Sequence, residues 1–366
     1  MLAHDCMSKV QLNDITKTLG KRCVVSGLQL EIESGQFIVV LGQSGCGKTT
    51  TLNLICGLLA PDNGSVWIED QDMTGVAPRN RDIAMMFQGD ALYPHLTIRQ
   101  NLSLSLKNVG DFKLREQRIE SASKLLYLDD FLDRKPASLS GGEQRKAAMA
   151  KAMVRQSSVR LLDEPLSALD APVRHELQQN LLNWHRSTPG TTIQVTHDGD
   201  EAMRLADRIA VMDGGKFTQV ATPRELYQRP NCKAAALALG YTPAPMQFFQ
   251  GHVAANKVQV PDLQLVDFPP MDDDTKVEIG VRPRDWTQVQ ADGDRAAAGV
   301  YFVGKVVQQE FVDGETFVQV ECNSKRITAK ASANDENVTL FASLALTHVF
   351  DAQTGQRIED YLRQTR

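Results

Sequence analysis

The chain has 366 residues, 42% of them hydrophobic and 23% charged, which suffices for two or three domains with packed cores and excludes an intrinsically disordered chain. Its net charge of −5 excludes a nucleic-acid binder that works through a basic surface. The six cysteines form no C-x-x-C pair, so neither a zinc site nor a disulfide framework is expected.

MLAHDCMSKV lacks the parts of a secretion signal, and no apolar run approaches the ~18 residues of a membrane-spanning helix. VQLNDI and VVSGLQLEIE then read as strands, and FIVVLG as a short apolar one. KTTTLNLICGLL has helical spacing, IAMMFQ is extended, and LTIRQNLSLSLK and KLREQRIESASKLLYL are helical again. In LSGGEQRK, Ser140 and Glu143 form a capping box ahead of the helical AAMAKAMVR. Gly141 and Gly142 let that helix start approach an anion closely. VRLLDEP and TTIQVTHD read as buried strands. This alternation predicts an α/β domain with a largely parallel sheet.

Residues 240–251, GYTPAPMQFFQG, read as a linker because of their proline and glycine content. HVAANKVQV, KVEIGV, GVYFVGKVVQQEFV, ETFVQVE and KRITAKA follow as short alternating strands, with a tight hairpin turn at Asp313–Gly314. The expected domains are residues 1–240, α/β, and residues 241–366, β-rich.

GQSGCGKT, formed by Gly42, Gln43, Ser44, Gly45, Cys46, Gly47, Lys48 and Thr49, matches the phosphate-loop pattern between a strand and a helix. A chance glycine turn would not also supply the strand, lysine, hydroxyl and helix. Backbone N–H groups of this loop, continuing to Thr50, are expected to wrap phosphates, with Lys48 on the β- and γ-phosphates and Thr49 on Mg²⁺. Cys46 is read as a small filler whose position predicts sensitivity to alkylation. VRLLDE ends in two carboxylates: Asp163 suits an outer-sphere Mg²⁺ partner, and Glu164 a general base for water. His197, in THD, is placed to sense the γ-phosphate.

With GQSGCGKT, LSGGEQ, DEP, SALD and THD in this order, residues 8–240 resemble the ATP-binding-cassette ATPases. The resemblance implies that the cofactors are ATP and Mg²⁺. It implies that Ser140, Gly141 and Gly142 touch the γ-phosphate held by a second ATPase subunit. It places Gln88 on Mg²⁺ and the attacking water, and Asp170 at the dimer interface. A helical subdomain over about residues 90–157 is implied too, with residues 88–96 in the groove for two transmembrane permease subunits. DIAMMFQ, ALYPHLTIRQN, LDRKP and TPRELYQRP are similar to bacterial sugar and glycerol-3-phosphate import subunits of the maltose-type class. IGVRPRDW and THVFDAQTGQRI resemble pieces of their tail, which implies one or two small oligonucleotide-binding-like barrels for dimerisation or regulation. The implied protein is a peripheral ATPase on the cytoplasmic face of the bacterial inner membrane, without nucleic acid, whose cargo a separate extracytoplasmic protein selects.

The sequence departs from the family pattern in places. Leu19 stands where an aromatic usually stacks on adenine, which predicts weaker and less selective ATP binding. Arg160 is expected to reach outward from the strand start, because an unpaired buried charge is costly. Gln43, Gly89, Asp90 and Lys146 also differ from the common pattern. Import of polyamine, ferric iron or another ion stays open, as does a regulatory cassette that binds ATP with little turnover. A soluble cassette acting on nucleic acid or ribosomes would resemble members with a long coiled-coil insertion or a second cassette; neither pattern is found in the sequence, and the net charge is wrong for it.

Overall fold

Alternation of buried and exposed side chains makes the N-terminal segment an antiparallel hairpin, β1 (Val10–Leu19) with β2 (Arg22–Ile32), turning at Gly20 with φ 62. The structure, a computed structural model, describes residues 8–89, 92–167, 169–239, 244–255, 257–267, 271–272, 275–289, 297–312, 314–323, 325–331 and 336–358. Asp90 and Asp313 lie outside the described residues. The chain forms two units, Met1–Pro223 and Arg224–Arg366.

In the first unit, β3 (Phe37–Leu41) is buried at every position, as a central parallel strand must be. It feeds α1 (Lys48–Cys56), whose far end Arg81 caps through the carbonyls of Leu54 and Ile55. β4 (Asn63–Ile68) and β5 (Gln71–Asp72) join the hairpin in a four-stranded antiparallel sheet, order β2-β1-β4-β5. The first strands thus belong to a sheet of their own.

After β6 (Ile83–Met86) come three helices, α2 (Ile98–Ser105), α3 (Phe112–Leu126) and α4 (Gly141–Met153). The next elements are β7 (Val159–Asp163), α5 (Ala171–Ser187), β8 (Thr191–Thr196), α6 (Gly199–Leu205), β9 (Arg208–Asp213) and β10 (Lys216–Ala221). The six-stranded sheet runs β10-β9-β3-β8-β7-β6, parallel except for β10. Its order puts the carboxyl ends of β3, β7 and β8 side by side, where open α/β sheets bind ligands.

Arg160, in β7, does not point outward. It is 1% exposed, because its guanidinium donates to the Thr188 carbonyl at 2.6 Å and to that of Pro189, and lies 4.3 Å over the Trp184 ring. A Cβ on Gly190 would stand 2.7 Å from this guanidinium, so glycine there makes the burial possible. Burial lowers its pKa to about 10, which leaves it charged at neutral pH.

In the second unit, α7 (Pro223–Gln228) and α8 (Lys233–Ala238) precede the strands. β11 (Gln247–Ala254), β12 (Lys257–Gln259), β13 (Gln264–Val266), β14 (Lys276–Val281) and β15 (Thr287–Val289) follow. The last are β16 (Gly299–Val312), β17 (Glu315–Cys322), β18 (Lys325–Lys330), β19 (Asn337–Ser343) and β20 (His348–Asp351). Two antiparallel sheets, β12-β11-β14-β20 and β15-β19-β16-β17-β18, share one core that includes Phe249, Trp286, Phe302 and Leu340. Val312 pairs with Glu315 across the expected hairpin turn, and Gly314 takes φ 81.

Two expectations change here. Phe249, inside the expected linker, is a buried residue of β11, since apolar bulk outweighs the turn formers beside it. α8 belongs with the β-rich unit: Lys233 pairs with Glu278 at 2.6 Å, and Arg282 donates to the Ala236 carbonyl. The unit boundary accordingly falls at Pro223, ahead of the expected 240.

Candidate active site

The loop after β3 turns where only glycine fits. A Cβ on Gly42 would stand 2.3 Å from the Met212 carbonyl, and Gly45 and Gly47 take φ 80 and 114. This brings the loop tightly over the start of α1. Lys48, 6% exposed, donates to the carbonyls of Gly42 at 2.7 Å and Gln43 at 2.9 Å. Its ammonium is therefore held inside the loop, at the place where a phosphate would exchange with those carbonyls. Gln43, Ser44, Gly45 and Thr49 are exposed and Thr50 is half-buried. Cys46 is buried, and burial pushes its thiol pKa up, so the sensitivity to alkylation expected from sequence is reduced.

Asp163 ends β7 beside this loop and accepts from the Thr49 hydroxyl at 3.2 Å. Burial raises its pKa, and the Thr49 bond offsets part of that rise. Glu164 follows in the left-handed region with φ 46, its N–H donating to the Val195 carbonyl at 3.0 Å. That geometry turns its carboxylate to within 3.2 Å of His197 Nδ1, which follows β8. Lys48, Thr49, Asp163, Glu164 and His197 thus meet at the ends of three adjacent strands.

Beneath His197, Asp198 caps α6 by accepting from the N–H groups of Asp200 and Glu201. Glu201 is 2% exposed, accepts from Thr196 Oγ1 at 3.0 Å and pairs with Gln194. Burial, aided by Asp198 and opposed by the Thr196 bond and Arg174, raises its pKa to about 7 from 4.5. The folded chain keeps this proton over a range where the unfolded chain has lost it. This group's contribution to stability therefore falls as pH rises from 4.5 to 7. Glu201→Gln is expected to raise Tm relative to wild type more at pH 8 than at pH 5. Thermal unfolding at both pH values checks this, and equal shifts would rule it out.

Ser140 caps α4, accepting from Glu143 N while its own N–H and hydroxyl donate to the Glu143 carboxylate. Gly141 is exposed and Gly142 half-buried, so the helix start faces outward. Asp170 is an exposed N-cap of α5 without a side-chain cap bond, Gln88 is exposed, and Leu19 is 44% exposed at the end of β1. No bond among the described residues joins Ser140, Asp170 or Leu19 to the phosphate loop.

Two arginines that sequence reasoning missed bind this region together. Arg145 of α4 donates to the carbonyls of Gln88 and Glu164 and, at 2.9 Å, of Asp163. Arg174 of α5 reaches Asp198 at 3.3 Å and the Leu169 carbonyl at 2.8 Å. A charged residue in a mixed helix normally reads as solvated, and the small-residue run AAMA that follows Arg145 is the one sequence hint that this helix is closely packed.

The family model described as ABC transporter matches residues 25–167, which include the phosphate loop, LSGGEQ and both carboxylates. The chain is 36% identical over 368 residues to the sn-glycerol-3-phosphate import ATP-binding protein UgpC of Brucella abortus (strain 2308), covering 97% of this chain and 100% of that protein. It is 38% identical to UgpC of Rhizobium meliloti (strain 1021), covering 96% and 100%. The Xylose/arabinose import ATP-binding protein XacK of Haloferax volcanii is 35% identical, covering 97% of this chain and 96% of that one. The dimeric structure of an ATP-binding cassette in a post-hydrolysis state, bound to ADP and Pi, superposes with TM-score 0.53 at 29% identity. It covers 59% of this chain and 99% of that one.

Proposed function

The chain belongs to the ATP-binding cassette transporter family, and on that premise we propose that it is the ATP-hydrolysing subunit of a bacterial importer of sugar, polyol or glycerol phosphate. The observation that carries hydrolysis is the Glu164–His197 pair, 3.2 Å apart beside the phosphate loop. The cargo class rests on the full-length similarity to the glycerol-phosphate and pentose import proteins.

In this reading the unit that ends at Pro223 forms the ATPase, and the β-rich unit from Arg224 onward is the regulatory or dimerisation domain. Loop N–H groups from Gly42 to Thr50 hold the phosphates, and Lys48 balances their charge. Glu164 accepts a proton from water as the water oxygen bonds to the γ-phosphorus and the bond to ADP breaks. His197 steadies the γ-phosphate and the Glu164 carboxylate. The Thr49 hydroxyl, the Asp163 carboxylate and the Gln88 side-chain carbonyl are the all-oxygen donor set that suits Mg²⁺, and Thr49 and Asp163 already stand 3.2 Å apart. When bound, Mg²⁺ supplies positive charge to the phosphate oxygens. Ser140, Gly141 and Gly142 reach the nucleotide of a second copy, with Asp170 at the same interface. Two permease subunits at the cytoplasmic face of the inner membrane are the moving partners, and an extracytoplasmic binding protein selects the cargo. Among the described residues no helix is long and apolar enough to cross a membrane.

Growth on sn-glycerol 3-phosphate as sole phosphate source, in a bacterium lacking its own import ATPase for that compound, tests the cargo. Failure with intact ATP hydrolysis would remove the glycerol-phosphate assignment and leave the ATPase standing. Leu19 makes a separate test. Leu19→Tyr is expected to tighten ATP binding by ~1–3 kcal/mol, by analogy with base stacking, and to widen the preference for ATP over GTP. Nucleotide titrations check this, and an unchanged Kd would place the base away from Leu19.

A further inference from the structure

Arg145 lies in the second turn of α4, the helix that Ser140 opens, and is 4% exposed. Its guanidinium spreads over the chain following two different strands. After β7, Nε donates to the Pro165 carbonyl at 3.3 Å, and Nη2 donates to those of Asp163 at 2.9 Å and Glu164. After β6, Nη1 donates to the carbonyl of Gln88 and, at 3.5 Å, to that of Phe87. These five acceptors are backbone carbonyls, so the fork holds the path of the chain. Lysine has the charge but not the planar fork.

Glu164 is where this matters most. Its φ of 46 is a strained conformation for a residue with a Cβ, of the kind that persists only when the surroundings over-determine it. The Val195 carbonyl holds its N–H and Arg145 holds its C=O. With both sides of the residue clamped, its carboxylate is aimed at His197.

We propose that Arg145 is the positioning residue that ties the helix opened by Ser140 to Glu164 and Gln88 of the same subunit, so that engagement of a partner's γ-phosphate at Ser140 sets the general base of this chain. The proposal rests on the reading of Glu164 as the base. It predicts a mechanical link in one subunit between the trans contact and the cis chemistry. A plain structural staple between helix and sheet predicts only a loss of stability.

The test uses the full chain with Arg145→Lys and Arg145→Gln, and follows Tm, ATP Kd and single-turnover hydrolysis. ATP Kd is expected to stay within about twofold while hydrolysis falls ~10–100-fold, the scale set by slight misplacement of a reacting group. In a Glu164→Gln background, Arg145→Lys is expected to add little further loss, because the link acts through the residue already disabled. Hydrolysis within about twofold of wild type, a loss matched by an equal loss in Kd, full additivity with Glu164→Gln, or failure of both variants to fold would each overturn the proposal. If Glu164→Gln alone left hydrolysis intact, the base assignment would fall instead, and the two failures are distinguishable.

Discussion

Replacing Glu164 with glutamine is expected to lower the rate of ATP hydrolysis by ~10²–10⁴-fold, the usual contribution of a positioned general base, and to leave ATP binding close to wild type. Glutamine keeps the size and the hydrogen-bonding reach of glutamate but cannot accept the proton that water must lose. In the proposed site the nucleotide is held elsewhere, by the loop around Lys48, so Kd is expected not to change. The carboxylate is only 13% exposed and lies 3.2 Å from the His197 ring, which leaves little room for bulk water to replace it. Steady-state hydrolysis with nucleotide titration in parallel separates the two effects. Hydrolysis unchanged from wild type would sink the assignment of the base.

Ser140→Arg is the second large effect. It is expected to lower hydrolysis by the dimer ~10²–10³-fold, the scale of removing a preorganised donor to a developing negative charge. Ser140 is exposed and bonds only locally, to Glu143, so its O–H can turn from the Glu143 carboxylate to a phosphate that a second copy brings. The proposed in-trans contact gives a sharper readout in mixtures. A Ser140→Arg chain combined with a Lys48→Ala chain rebuilds one complete site, from the intact phosphate loop of the first and the intact signature loop of the second. Single-turnover hydrolysis should therefore reappear on mixing two inactive proteins. Retention of full activity by Ser140→Arg alone would show that the loop does not face the γ-phosphate.

Much of this site is legible in the sequence because phosphate chemistry constrains consecutive residues. Gly42, Gly45 and Gly47 must leave room for backbone, Lys48 and Thr49 must follow on the first turn of a helix, and Asp163 with Glu164 must end a buried strand. Each requirement is local, and each shows as a short pattern. The capping box at Ser140 is local in the same sense, and both of its bonds form. Apolar runs such as Phe37–Leu41 likewise announce their own burial.

Long-range packing is where such patterns stop. Arg160 was expected outside, yet the Trp184 face and the Thr188 and Pro189 carbonyls come together only in the folded unit, and Gly190 clears the space. Phe249 lay among turn formers, and its burial depends on Trp286 and Phe302, which stand far along the chain. The phosphate-loop pattern and the alternation of strands and helices are readable along the chain, since neighbouring residues carry both. That Arg145 reaches the backbone on both sides of Glu164 emerges only in the folded chain. Carbonyls carry no residue identity, so the partners of that side chain exist only once β6, β7 and α4 are packed together.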